Sequence, residues 1–388
     1  MLLSEGVSNM QLSRAGILFG HQQRSGRLAL AALAGLSGCA VNQAAFAQSG
    51  GPTIPLTAAA QASGAQISYS QGIEFVTIGA AGNAVVPANF PQGYARGRGS
   101  VSYEYRIGRM EVTTTQWVEF FNAAFDRPSN DTLPHLMPPG VWGAQGTTPT
   151  VPGGRRWTVP AGNENRLVGN ISWRMAAMYC NWLCNDKRTD RSAFLNGAYD
   201  VATFGGLSPN GFSDQVAHNP GAQYWIPTFD EWVKAAHFDP NRFAESAGGW
   251  WRFPTLSDTA PVYGPPGQGQ ANAGAVQVPS QQLFYPLGSY TDVQSPWGLL
   301  DTAGGTSEWL ESALAITGPN LDVRLQEGSS FALSFGSSRG SDLIEGTSGS
   351  YPSISEWDFG FRIAAAVPSP GVSALMLVLF ISQNRRRR

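Results

Sequence analysis

Two carboxylates stand close together late in the chain: Asp301 and Glu308, separated by a glycine-containing turn from Thr302 to Ser307. Carboxylates mixed with main-chain carbonyls at short spacing are hard oxygen donors, the set that calcium collects about six to eight at a time. The competing reading is local: Glu308 caps or pairs within the protein and no ion is held. A second chemistry-bearing pair, Cys180 and Cys184, is one helical turn apart and in principle shares a soft ion. Both thiols fall on an apolar stripe, however, where a free cysteine behaves as a small hydrophobe. Cys39 is the only other cysteine in the sequence, so no disulfide framework holds this chain together. The histidines, His21, His135, His218 and His237, recur at no metal-ligand spacing and are read as surface or core residues.

Three helices are predicted behind these residues, each with its own start signal. Thr113-Thr114-Thr115-Gln116 has the form of a capping box, followed by Trp117, Phe120, Phe121 and Ala124 at three- and four-residue spacing. Ser172 can cap the next, with Trp173, Ala176, Ala177, Cys180, Leu183 and Cys184 on one stripe. Thr228-Phe229-Asp230-Glu231 is another capping box, and its two acids read as helix-terminus carboxylates before they read as acid/base catalysts. Short alternating segments, Val101 to Ile107 and Phe359 to Ala364, fit strands.

The hydrophobic fraction is 42% and the charged fraction 13%, a globular composition, and the net charge of -2 gives no electrostatic reason to expect nucleic acid. Both ends read as targeting segments. Residues 1–47 carry Arg14, Arg24 and Arg27, an apolar run from Leu28 to Val41 and Ala45-Phe46-Ala47, the pattern of a signal peptide cleaved after Ala47. The alternative is a lipobox at Leu36-Ser37-Gly38-Cys39, with Cys39 lipidated. Residues 48–66, rich in Gly, Ala, Ser and Thr, read as a flexible linker, and 67–366 as one loop-rich domain. Residues 367–388 hold Val367-Pro368-Ser369-Pro370-Gly371, an apolar stretch from Val372 to Ile381 and the Arg385–Arg388 cluster. That tail resembles a PEP-CTERM sorting signal, with Ser369 where the usual pattern has Glu; the alternative is a simple C-terminal anchor. It implies an exosortase-type sorting enzyme as partner, an exported protein at the cell envelope, cell surface or medium, and membrane contact through the termini only.

Five landmarks in order give the family resemblance. They are Tyr105 to Thr113, with its E-V-T element; Asn170-Ile171-Ser172-Trp173 through Leu183; Trp225 to Trp232, similar to R-L-P-T-E-A-E-W with two departures; Gly298 to Trp309, similar to G-L-Y-D-M-x-G-N-V-W-E-W; and Gly360-Phe361-Arg362. Together they resemble the formylglycine-generating, or sulfatase-modifying-factor, family. The resemblance implies an α+β, loop-rich, C-type-lectin-like domain with little regular secondary structure. It also implies a calcium ion held by Asp301, Gly304, Thr306 and Glu308, the middle two through backbone oxygens. A second family calcium site would use Asn272, but its acidic partner is missing from the segment that follows.

The family's reaction needs two thiols near the C-terminal end of the domain, holding copper(I) and attacking a substrate cysteine. Leu333 and Ser338 occupy those places here, so copper is not expected. Ser329, Ser330 and Arg339 remain as candidate groove-lining, ligand-binding residues, without a partner base that would make either serine a nucleophile. The resulting expectation is an exported, non-catalytic surface module with calcium as a structural ion and a peptide or glycan ligand. The rivals are a formylglycine-generating-type oxidase acting on a protein cysteine, and a calcium-dependent carbohydrate-binding module using Trp250 and Trp251.

Overall fold

A computed structural model describes residues 53–368 apart from 92, 149–155, 207–210, 244–247, 276–284, 317–318 and 334–339. The segment 1–47 read as a signal peptide, the tail from residue 369, Arg339 and Ser338 therefore lie outside the described residues. Among the described residues no helix is long and apolar enough to cross a membrane.

All three predicted helices form where their caps place them. Helix α2, Thr114–Phe125, follows a short α1, Ala58–Ala62, and opens with the reciprocal Thr113–Gln116 capping box. In α3, Trp173–Cys184, the Ser172 hydroxyl accepts from the Met175 amide. After the short α4, Arg191–Leu195, helix α5, Phe229–His237, begins at the Thr228–Glu231 box. The apolar stripes of α2 and α3 meet in one aromatic cluster, where Trp117 lies 5.7 Å from Tyr179 and 5.9 Å from Phe361. Trp117 is fully buried, so truncating it to alanine would cost about 3–5 kcal/mol.

Two small sheets carry the rest. The first runs β1 (Ile67–Ser70), β2 (Ile73–Ile78), β3 (Tyr105–Gly108), β13 (Ala364–Ala366), β6 (Tyr224–Trp225), all antiparallel. The second runs β11 (Ser348–Ser350), β10 (Val323–Glu327), β9 (Ser307–Leu314), β12 (Phe359–Gly360), with β12 parallel to β9. Two-stranded ribbons pair β4 (Gln145–Gly146) with β5 (Trp157–Thr158), and β7 (Phe238–Asp239) with β8 (Gly249–Trp250). The short segment between β12 and β13 crosses from one sheet to the other, which places Arg362 between them. This is the loop-rich α+β architecture expected of the C-type-lectin-like fold.

Three expectations are corrected. The stretch read as a flexible linker, 48–66, is ordered from Thr53: the Thr57 hydroxyl caps α1, and Arg109 binds the carbonyls of Ile54 and Pro55. Tertiary contacts hold this segment, which has no periodicity of its own. The strand expected over Val101 to Ile107 begins only at Tyr105, because the Val101 backbone bonds Gly82 and the Asn83 side chain in a loop instead. Trp250 and Trp251 are not open platforms: Trp250 is buried, and the Arg242 guanidinium lies 3.9 Å over the Trp251 ring.

Candidate functional site: a buried acid cluster around Arg362

The turn between Asp301 and β9 is built on left-handed backbone. Gly304 and Gly305 have φ of 84° and 65°, and Asp301 itself has φ of 52°. A Cβ on Gly305 would lie 2.0 Å from Glu111 Oε1, and one on Gly304 would lie 2.5 Å from Asn272 Oδ1, so glycine is required twice over. Three consecutive amides of the turn point inward at side chains: Gly304 donates to Ser329 Oγ, Gly305 to Asn272 Oδ1 and Thr306 to Glu111 Oε1, at 2.7–2.9 Å. The Thr306 hydroxyl also donates to Glu111 at 2.6 Å. Asn272 thus acts as a turn anchor.

Arg362 stands at the centre. Its Nε and Nη2 engage the two Glu308 oxygens at 2.6 and 2.5 Å, and Trp232 Nε1 adds a third donor to Glu308 at 2.9 Å. The remaining guanidinium protons reach the carbonyls of Gly108, Arg109, Leu300 and Asp301. Both partners of this ion pair are essentially fully buried. Such a pair persists only with good geometry and further hydrogen bonds, and both are present here.

The single guanidinium serves more acid than it neutralises. Asp301 is half-buried and its carboxyl receives one backbone donor, Gly288 N at 2.6 Å; desolvation pushes that carboxyl up to about 6, and Glu308 nearby adds to this. Burial, reinforced by Glu308, also pushes Glu111 well above the usual carboxylate range. Glu327 sits directly across from Glu308 in the β9–β10 ladder and is driven up by burial and by the neighbouring acids Glu308 and Asp342. Burial and a like charge directly opposite in the sheet both disfavour the ionised form of Glu327. Asp342 accepts from Ser329 N and Tyr263 Oη, both at 2.9 Å, and is pushed up to about 7 by burial.

The predicted site residues divide as follows. Asp301, Gly304, Thr306 and Glu308 follow one another along this turn, Glu308 buried and Asp301 half-buried; among the described residues no group of three or more His, Cys, Asp or Glu side chains is placed to hold a metal ion. Ser329 and Ser330 are completely buried rather than lining an open groove: Ser329 Oγ accepts from Gly304 N, and Ser330 Oγ bonds Asp358 at 2.5 Å. Leu333 follows in the same turn, its amide bonded to Ser330 O. Cys180 is buried in α3, and Cys184 donates to the Tyr224 carbonyl at 3.4 Å; burial raises both thiols above their ordinary values. Asp230 is taken by Arg98, and Glu231 by Thr228, Trp225 and Tyr103.

A model of the sulfatase-modifying factor enzyme 1-like domain matches residues 72–367, most of the chain. The chain belongs to that family. Strands β2 to β13, helices α2 to α5 and Arg362 lie within the matched residues. No curated protein sequence matches it significantly. Among solved structures it is similar to CarF (20% identity, TM-score 0.49, covering 76% of this chain and 99% of that one). It is also similar to Treponema denticola variable protein 1 (18%, 0.46, 78% and 99%) and to PvdO from Pseudomonas aeruginosa (15%, 0.42, 78% and 98%).

Sequence reasoning missed two features of this site and one buried polar pair elsewhere in the domain. Arg362 was quoted only as part of a motif, and its partner Glu308 is 54 positions away. Glu111 was read as part of the E-V-T landmark, without a role. The dyad of His218 Nδ1 and Glu311, 2.9 Å apart with Tyr199 on the same carboxylate oxygen, joins residues 93 and 112 positions apart and left no local signal.

Proposed function

We propose that this domain is an exported surface binding or structural module that holds a calcium ion and does not carry out copper-thiolate oxidation. One observation carries the second half. The sequence contains three cysteines, none after residue 184, and both in the domain are packed in or against α3 with protonated thiols. A thiol held protonated by burial is neither a copper(I) ligand nor a nucleophile. Purified protein given copper(I), oxygen and a C-x-P-x-R peptide is expected to give no aldehyde and no peptide-dependent oxygen consumption. Product formation would establish the rival oxidase reading.

Calcium is supported by the charge balance of the cluster. Asp301 is half-buried, its carboxylate has one backbone donor, and the neighbouring guanidinium bonds its main-chain carbonyl while engaging the Glu308 carboxylate. Asp301 and Glu308 would supply carboxylate oxygens, and Gly304 and Thr306 backbone carbonyls, a donor set suited to a hard cation. When bound, the ion would supply the positive charge that this acid-rich turn lacks. Metal analysis of the purified domain is expected to find calcium and no copper; an empty domain refutes the proposal.

The ligand is proposed to be a peptide or a glycan. A carbohydrate is favoured by Trp357, which is 41% exposed and stands edge-on to Phe331 at 5.1 Å, beside the turn that carries Ser329 and Ser330. Glycan binding that disappears in Trp357→Ala supports this reading, and an array blank with and without chelator counts against it. Export through the leader, sorting of the tail by an exosortase-type enzyme and membrane contact through the termini alone complete the proposal. N- and C-terminal sequencing of the mature protein tests them, with uncut ends as the contrary result.

A further inference from the structure

Residues 53–63 precede the region matched by the family model, yet they are built into the domain beside Asp301. Two elements position the Asp301 carboxylate: the turn 298–300 that leads into it, and the Gly288 amide that donates to it. The N-terminal segment packs on both. Gly288 adopts φ of 80°, and a Cβ there would lie 2.8 Å from Ile54 Cδ1; a Cβ on Gly298 would lie 2.4 Å from Leu56 Cδ2 and 3.3 Å from Ala60 Cβ. Arg109, fully buried, ties the same parts together. Its Nη atoms bind the carbonyls of Ile54 and Pro55, its Nε binds Gly298 O at 2.9 Å, and its own carbonyl accepts from Leu300 N at 2.8 Å. Gln294 closes the other side, donating to Pro55 O at 2.9 Å and accepting from Thr57 N at 3.1 Å.

We propose that residues 53–63 form a strap that positions Asp301 for cation binding, with Ile54, Leu56 and Arg109 as positioning residues. Asp301 lies in left-handed backbone, a conformation unfavourable for a residue other than glycine unless its surroundings impose it. The strap supplies those surroundings from outside the family-matched region. Without it, the turn samples conformations in which the carboxylate has left the donor set. Apparent affinity then falls in proportion to the fraction of molecules with the turn formed. This inference rests on the calcium reading above, and the experiment separates the two.

The double variant Ile54→Ala/Leu56→Ala is made in the chain starting at Gln48, with Ile67→Ala on β1 as a matched truncation away from the turn. Ile54 and Leu56 are only partly buried, so the variant keeps its fold, checked by near-ultraviolet circular dichroism. Calcium affinity is measured by calorimetry, and Gly288 amide exchange is followed in calcium-free protein. The expected result is an approximately tenfold weaker calcium affinity, as for a turn formed about a tenth of the time, with faster Gly288 exchange and neither change in Ile67→Ala. A purely structural strap would lower the melting temperature without moving either readout, and that outcome overturns the inference. If the unmodified chain binds no calcium while Gly288 exchange still accelerates in the variant, the calcium reading falls and the coupling of strap to turn stands. Unchanged Gly288 exchange removes the strap inference whatever calcium does.

Discussion

Replacing Asp342 with asparagine tests whether buried acids make this domain more stable in acid. The Asp342 carboxyl is 2% exposed, accepts from Ser329 N and Tyr263 Oη, and is pushed by burial from an ordinary 3.8 up to about 7. The folded state therefore holds a proton that the unfolded chain releases above about pH 4. Between the two values the unfolded state binds fewer protons, so stability falls as pH rises, and it levels off above the folded value. Each pKa unit is worth about 1.4 kcal/mol, so a span of roughly three units corresponds to about 4 kcal/mol. Asparagine is the nearest isostere of the protonated acid, with a carbonyl acceptor and an NH2 donor group in place of the O–H, and it does not titrate. Urea unfolding of both proteins from pH 4 to pH 8, with chelator present, gives the difference directly. The two are expected to be about equally stable at pH 4, with Asp342→Asn ahead by up to about 4 kcal/mol at pH 8. Asp301, which does not feel Asp342, acts in both proteins and cancels; Glu327 is pushed up less once Asp342 is gone, which adds to the advantage of the variant at high pH. A stability difference that stays constant across this range would refute the reasoning, since a purely steric effect does not depend on pH.

Gly305→Ala should destabilise the domain by more than about 3 kcal/mol, read as a drop in urea midpoint, because the added methyl meets Glu111 at 2.0 Å in a left-handed turn. Arg362→Met leaves Glu308 buried and uncompensated and should cost about 3–5 kcal/mol. Adding Glu308→Leu should recover much of that loss, which a double-mutant cycle of unfolding free energies would show. At calcium a hundredfold above its dissociation constant the unmodified domain should gain about 2.7 kcal/mol, or about 5 °C in melting temperature. Asp301→Asn should lose most of that gain in a calcium-versus-chelator melt.

What could be read from the sequence was local. The Thr113, Ser172 and Thr228 caps act within three residues, so the three longer helices were visible without any tertiary information. Strands such as β6 and β12 are two residues long, too short for alternation to register, and they exist because their neighbours supply the ladder. The strap failed for a related reason. Thr57 caps a helix of five residues, far below the length at which a helix is stable alone, so only Arg109 and Gln294 reveal its order.

The same distinction explains how the site was half seen. Asp301 and Glu308 were found because a turn brings them within seven positions of each other, whereas their electrostatic meaning depends on Arg362, Glu111 and Asp342, which arrive from three other parts of the chain. Burial turned a pair of candidate ligands into a cluster with more acid than base, and that imbalance cannot be read from a net charge of -2 spread over the whole sequence. It leaves two physical ways to relieve the excess, uptake of protons or of a cation, and they compete for the same oxygens. If calcium binds at Asp301, its affinity must therefore rise with pH through the range near 6 where that carboxyl loses its proton. Titrations at pH 5 and pH 8 should give the tighter constant at pH 8, and equal constants would mean that the ion, if bound, sits elsewhere.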